Sequence, residues 1–188
     1  MTPIKLLQGN INVMPLHWSL KCNDGLWNRN KARTESTESP HHDLSDIWVR
    51  FSKDGIEYQD IHHEAVWYPD MEKLDGLKDI IFSTMSYVQG ESLGGVLITK
   101  IPPGKECKPH IDDGWHARHY EKFAVSIASH PSQEFCFENA SLVTKPGDLF
   151  WFYNQYTHWV TNPSDEARIT LIMSIKVGSH ITRALKGE

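Results

Sequence analysis

The chain has 188 residues, 23% charged and 39% hydrophobic, with a net charge of −5 and a pI near 6.1. This length suits one domain, residues 1–188, with a substantial core. The acidic balance argues against a nucleic-acid binder dominated by phosphate contacts. Cys22, Cys107 and Cys136 are odd in number and widely spaced, so they point to a reducing cytoplasm rather than a disulfide framework or a CxxC zinc site. The first ten residues hold no long apolar run and no stretch approaches a membrane span, so neither a signal peptide nor a membrane anchor is expected.

Residues 1–20 read as strand-like segments with a turn at Gln8-Gly9-Asn10. Residues 21–46 change character: Asn23-Asp24-Gly25 is a turn signal, and residues 33–40 are polar with no apolar period. A connection of that length is functional or disordered, and Arg33, His41, His42 and the nearby Arg50 are candidates for a loop covering a site. Ile47–Phe51 predicts a short strand, closed by a turn over Ser52–Gly55. Pro69-Asp70 predicts the start of a helix capped by Asp70, with Met71, Leu74, Leu77, Ile81 and Met85 at helical spacing and Gly76 as its weak point. From Gly94 onward short strands alternate with turns: Val96–Ile101, Phe123–Ser129, Glu134–Phe137, Leu149–Tyr153, Thr157–Thr161 and Arg168–Val177. Many short strands at this spacing predict a mainly β sandwich or jelly roll, with its core over residues 91–177 and an N-terminal segment with the covering loop over residues 1–90. In the last strand Arg168, Thr170 and Ile172 share one face, while Ile169, Leu171, Met173 and Ile175 form an apolar face expected to pack on helices.

His110-Ile111-Asp112 and the distal His158 carry the chemistry. Residues two apart on a strand point to the same side, so His110 and Asp112 can reach one metal ion while Ile111 turns away. Two imidazoles and a carboxylate match a facial triad for non-haem Fe(II), which leaves three positions open. A bidentate 2-oxo acid can take two of them and dioxygen the third. Asp113 points to the opposite side from His110, into the turn at Asp113-Gly114. His116 and His119 crowd the same stretch and are expected near the site or at the surface rather than as ligands. Arg168 follows His158 by ten residues, across a turn at Asn162-Pro163-Ser164-Asp165. Its guanidinium suits a bidentate grip on a carboxylate, and Thr170 on the same face can add a hydroxyl. Tyr120 and Lys122 are candidates for the other end of the 2-oxo acid.

Lys108-Pro109-His110-Ile111-Asp112, Lys145-Pro146-Gly147-Asp148-Leu149-Phe150, His158 and Arg168-Ile169-Thr170 together resemble the core of Fe(II)/2-oxoglutarate-dependent oxygenases. Within them, the aspartyl/asparaginyl β-hydroxylase-like branch is the most similar. Some aspartyl hydroxylases of that branch lack the carboxylate ligand; here Asp112 is present. The resemblance implies a double-stranded β-helix (jelly roll, cupin-like) with helices packed on one sheet. It also implies Fe(II), 2-oxoglutarate as co-substrate, and dioxygen. The implied reaction is hydroxylation of an amino-acid side chain, in a small molecule, a peptide or a protein. The alternatives are a cupin-type metal-binding jelly roll without oxygenase activity, which has no need of Arg168, and a nucleic-acid-modifying oxygenase, which the acidic balance disfavours.

Overall fold

The computed structural model describes residues 2–53 and 62–188. In chain order the elements are β1 (Ile4–Gln8), α1 (Met14–Cys22), β2 (Ser45–Ser52), β3 (Ala65–Trp67), α2 (Leu77–Tyr87), β4 (Gly90–Ile101), β5 (Glu106–His110), α3 (Trp115–His119), β6 (Glu121–Ala128), β7 (Glu134–Phe137), β8 (Ala140–Leu142), β9 (Leu149–Phe152), β10 (His158–Thr161), β11 (Arg168–Val177) and α4 (Ser179–Lys186). They form two antiparallel sheets. The large one has the order β1-β9-β6-β11-β4-β2-β3, and the small one β5-β10-β7-β8. The fold is mainly β, a double-stranded β-helix: the strand spacing predicts a sandwich or jelly roll, and the resemblance implies this form of it. Among the described residues no helix is long and apolar enough to cross a membrane.

The two faces of the large sheet carry different loads. Ile169, Leu171, Met173 and Ile175 of β11 join Phe123, Val125 and Ile98 in a core that also takes Leu16 and Leu20 of α1 and Leu77, Ile80 and Ile81 of α2. The helices therefore cover this outer face. The inner face meets the small sheet through a second core that includes Ala124, Phe135, Phe137, Phe150, Phe152 and Val160. Directly opposed residues of antiparallel strands point the same way, so the register lays the inner face out in rows. Ile101 pairs with Arg168; Asp46, Thr99, Thr170 and Ser126 form the next row; Trp48, Leu97, Ile172 and Ala124 the third; Ser174 and Lys122 the last.

Two expectations are corrected. Residues 14–22 form a helix where strand was expected: Pro15 sits in the first turn, and Leu16 and Leu20 are buried at helical spacing. The helix expected to run from Pro69 to Met85 is divided. A 3-10 turn spans Pro69–Lys73, and α2 begins only after Gly76, which adopts φ +74. A Cβ there would lie 2.9 Å from Pro15 Cβ, so the break also lets α1 approach. Asp70 makes no cap; it pairs with Arg29 at 2.7 Å and Lys73 at 2.9 Å. The turn expected at Ser52–Gly55 runs into positions outside the described residues.

The turn that delivers β11 is organised by Asn162, which is buried. Its amide nitrogen lies 3.0 Å from Ile101 O, 3.0 Å from Pro102 O and 2.9 Å from Glu166 O. Its carbonyl oxygen accepts from Gln133 Nε2 at 3.0 Å and Ser164 Oγ at 2.6 Å. Asn162→Ala orphans several buried groups and is expected to cost about 3 kcal/mol. At about 2–4 °C per kcal/mol for a chain of this size, that lowers Tm by roughly 6–12 °C in a thermal melt.

Candidate active site

His110 closes β5 and His158 opens β10, and the two are register partners. The pairing sets their rings 4.3 Å apart, centroid to centroid. His110 Nδ1 lies 2.8 Å from Lys108 O, and His158 Nδ1 lies 2.9 Å from Tyr156 O. A carbonyl can only accept, so each Nδ1 carries its proton and each Nε2 keeps its lone pair for a ligand. Asp112 lies past the end of β5, so strand alternation is not what aims it. Its backbone N–H donates to Asn154 O at 3.0 Å, and Asn154 Nδ2 donates to its carboxylate at 3.3 Å. This brings Asp112 Oδ1 within 3.6 Å of His110 Nε2. One ligand atom from each of His110, Asp112 and His158 falls within 4.8 Å of the others, a set that could hold a metal ion. Burial alone would raise the Asp112 pKa, but Lys122, His158, His110 and Arg33 together hold it below the usual carboxylate range. Burial, opposed by Asp112, lowers the His158 pKa and favours the neutral imidazole that binds metals.

The three residues open on a cavity of about 640 Å³ between the sheets. Its floor is the inner face of the large sheet, with Arg168, Thr170, Ile172 and Ser174 of β11 all on its lining. Arg168 lies at the closed end and is 1% exposed. Its Nη2 donates to Thr144 Oγ1 at 3.3 Å, while its buried Nη1 has no hydrogen-bond partner. Burial lowers its pKa to about 10, with Cys136 opposing. Such a guanidinium stays charged at neutral pH and holds an unused donor, an arrangement that calls for an anionic guest. Lys122 also lines the cavity; Tyr120 does not. The Tyr120 ring packs instead against Gly94, where a Cβ would approach it to 2.8 Å.

His116 accepts the Gly95 N–H on Nε2 at 3.2 Å, and burial takes its pKa down to about 2. His119 is exposed and stacks on Trp115. A second set, His41, Cys107 and His110, also brings one ligand atom from each within 4.8 Å of the others. Here the groups are engaged with one another. Arg33 Nη1, a donor only, lies 3.4 Å from His41 Nε2, which places the His41 proton on Nδ1, 3.1 Å from Cys107 Sγ. Burial raises the Cys107 thiol to about 12. Cys22, Cys107 and Cys136 are all free thiols.

The loop of residues 28–44 forms one wall of the cavity, through Arg33, Ser36, Ser39, Pro40 and His41. It is seated by Arg33, whose Nε lies 2.6 Å from Asp46 Oδ2 and whose Nη2 lies 2.9 Å from Thr99 Oγ1. His42 faces away, toward a separate shallow depression with Lys105 and Lys108. Asn154, Thr144, Trp48 and Ser174 were not legible as site residues. Asn154 follows the Leu149–Tyr153 strand by one residue, and only its return to Asp112 in space gives it a role.

No protein-family profile and no curated protein matches the sequence. Solved structures do match in fold. A viral collagen prolyl hydroxylase from Paramecium Bursaria Chlorella virus-1, solved as a 2OG complex, superposes with a TM-score of 0.56 at 12% identity, covering 94% of this chain and 97% of that one. A prolyl hydroxylase from Trichoplax adhaerens, in complex with a hypoxia inducible factor oxygen degradation domain peptide fragment, gives 0.58 at 11% identity, covering 100% and 89%. A 2OG-Fe(II) oxygenase family oxidoreductase from Burkholderia pseudomallei gives 0.53 at 9% identity, covering 72% and 67%. The chain shares its fold with these oxygenases.

The Asp46 side chain is 0% exposed, so removing Arg33 strands a buried charge. Arg33→Ala is expected to cost about 3–5 kcal/mol in urea denaturation, and the paired change Arg33→Met with Asp46→Leu to recover most of it. Hydrogen exchange in residues 28–44 should rise in Arg33→Ala before global unfolding does.

Proposed function

We propose that this protein is a non-haem Fe(II)- and 2-oxoglutarate-dependent dioxygenase that hydroxylates an amino-acid side chain, in the manner of the aspartyl/asparaginyl β-hydroxylase-like branch. The observation that carries this reading is the buried Arg168, with an unpartnered Nη1, lining the same cavity as the His110–Asp112–His158 group. The residues fit the implied cofactor. Two neutral imidazoles with free Nε2 atoms and one ionised carboxylate suit Fe(II). Iron, 2-oxoglutarate and dioxygen together supply the oxidation of an unactivated C–H bond; the chain supplies everything else.

In this reading His110 and His158 hold the iron through Nε2, kept in that tautomer by Lys108 O and Tyr156 O. Asp112 holds it through its carboxylate, oriented by Asn154. Arg168 grips the distal carboxylate of 2-oxoglutarate through its guanidinium, whose Nη1 has no other partner, and Thr170 adds its hydroxyl from the same face. Phe135, Phe152, Val160 and Ile101 line the cavity around that end and exclude water, which strengthens each charged contact there. Tyr120 and Lys122 had been candidates for the other end of the co-substrate; Tyr120 lies off the cavity, and Lys122 is taken up below. The free thiols fit a reducing cytoplasm. A cupin-type binding protein is the reading that remains if metal binds and 2-oxoglutarate does not.

Purified protein is expected to form succinate from 2-oxoglutarate slowly without a primary substrate, and a chelator to stop it. His110→Ala and His158→Ala should each weaken Fe(II) binding about tenfold or more, read by anaerobic metal titration. Parental affinity in either variant removes that residue from the ligand set.

Arg168→Ala should weaken 2-oxoglutarate binding by about 100-fold, the equivalent of a few kcal/mol for a buried charge-assisted contact, and leave Fe(II) affinity nearly as it was. Arg168→Lys keeps the charge but loses the fork, and should recover only part. The visible charge-transfer band of the anaerobic Fe(II)–2-oxoglutarate complex provides the titration signal.

A further inference from the structure

We infer that the substrate presents a carboxylate to Lys122, at the end of the cavity floor opposite Arg168. This inference rests on the metal and co-substrate sites proposed above and names the chemistry of their missing third component. Lys122 sits on β6 opposite Ser174, and its Nζ donates to Ser174 Oγ at 2.8 Å. Among the described residues no carboxylate lies within ion-pairing distance of it. Asp112 is the acidic group that stabilises its charge across the cavity, and in the proposed function Asp112 is claimed by the metal. Burial already works against the ammonium. A half-buried charge of that kind is costly unless a counter-charge arrives.

Charge balance in the loaded site points the same way. Fe(II) brings two positive charges, and Asp112 with doubly ionised 2-oxoglutarate brings three negative ones. Arg168 restores neutrality. Lys122 then stands as a positive charge over. The other charged side chains on the lining do not cancel it: Arg33 is neutralised by Asp46, and Asp113 by Arg118 at 2.7 Å. Arg50, further along the same wall, adds positive charge; its Nε and Nη2 donate to Leu93 O, and its guanidinium lies over the Trp67 ring. The co-substrate is not the counter-charge. Arg168 and Ser174 are six residues apart on one strand, roughly 20 Å of rise.

Trp48 lines the same cavity one row away but three strands across the sheet, on β2 where Lys122 is on β6, and its buried indole N–H has no hydrogen-bond partner. A carboxylate at Lys122 can accept from the ammonium and from the Ser174 hydroxyl beside it, which leaves the indole N–H for an acceptor elsewhere on the same molecule. Leu97, Ile172, Phe51 and His116 complete an apolar wall between them, suited to the body of the same molecule. The carboxylate can belong to a small free acid, such as an amino acid, or to an acidic side chain within a peptide.

The test uses protein loaded anaerobically with Co(II) and 2-oxoglutarate, titrated by calorimetry. The probes are the free amino acids, their carboxamides, and short peptides with an internal aspartate or, as the control, asparagine. At least one carboxylate probe should bind about tenfold or more tighter than its neutral counterpart. Lys122→Met should erase that preference and Lys122→Arg should keep most of it, with the Co(II) spectrum reporting a folded metal site in both. A free acid that binds while the aspartate peptides do not identifies the small-molecule source; the reverse identifies the peptide. Neutral probes binding as well as acids, acid preference surviving in Lys122→Met, or no binding across the panel overturns the inference. Failure of 2-oxoglutarate to bind, seen before any probe is added, removes the oxygenase reading and this inference with it.

Discussion

Side chains alternate along a strand, so β11 can carry two incompatible chemistries at once. Ile169, Leu171, Met173 and Ile175 go to the helix-covered core, and Arg168, Thr170, Ile172 and Ser174 go to the cavity. A slip of one residue against β4 or β6 would drive an arginine into the core beneath the helices and expose four apolar residues to the cavity. The cost of that slip is what holds the register. The registry extends further, because the β5–β10 pairing that sets His110 against His158 belongs to the sheet facing this one. The distance from His110 and His158 to Arg168 is therefore a property of sheet packing. No loop has to find it.

The same constraint explains why the site tolerates so much buried charge. Arg168 is fully enclosed, and Lys122 and Arg33 are partly so. Each is tied down differently. Arg33 has a permanent partner in Asp46. Lys122 has a hydroxyl and a distant carboxylate. Arg168 has a weak contact to Thr144 and an empty donor. A fold does not keep a buried guanidinium underused for stability, since replacing it by an apolar side chain would cost less. The grading from fully paired to unpaired follows the proposed division between wall, substrate end and co-substrate end.

Much of the fold was legible because the strands of residues 90–177 alternate cleanly and end at turn residues. The two-faced character of β11 could be read from Arg168-Ile169-Thr170-Leu171 alone. The proximity of His110, Asp112 and His158 was also legible, from types and order, although the reason given for Asp112 was incomplete: an asparagine contact, not strand alternation, aims it. What was not legible depends on contacts between distant segments. Gly76 breaks the predicted helix because α1 packs against it, and nothing near Gly76 in sequence announces that. The helix over residues 14–22 falls mostly within the segment 1–20 that reads as strand, because Leu16 and Leu20 mean little until a partner face is known. Trp48 and Ser174 became site residues only through the lateral rows of the large sheet, which a linear reading cannot assemble.

Residues 21–46 read as a loop covering a site, and residues 28–44 form one wall of the cavity. Arg33 bonds to Asp46 and Thr99, and Ser39 bonds back to the Arg33 carbonyl, so the loop is fastened to the sheet at its centre. A fastened loop narrows the routes into the cavity. The exposed lining residues fall in two places, Ala32 and Ser36 on this loop and Ile111 and Asp113 on either side of Asp112, while Arg168 is the most deeply buried charged group of the lining. In the proposed function a co-substrate gripped by Arg168 would therefore sit deeper than a substrate held at the half-buried Lys122, an order set by the inner face of the large sheet and not by the loop.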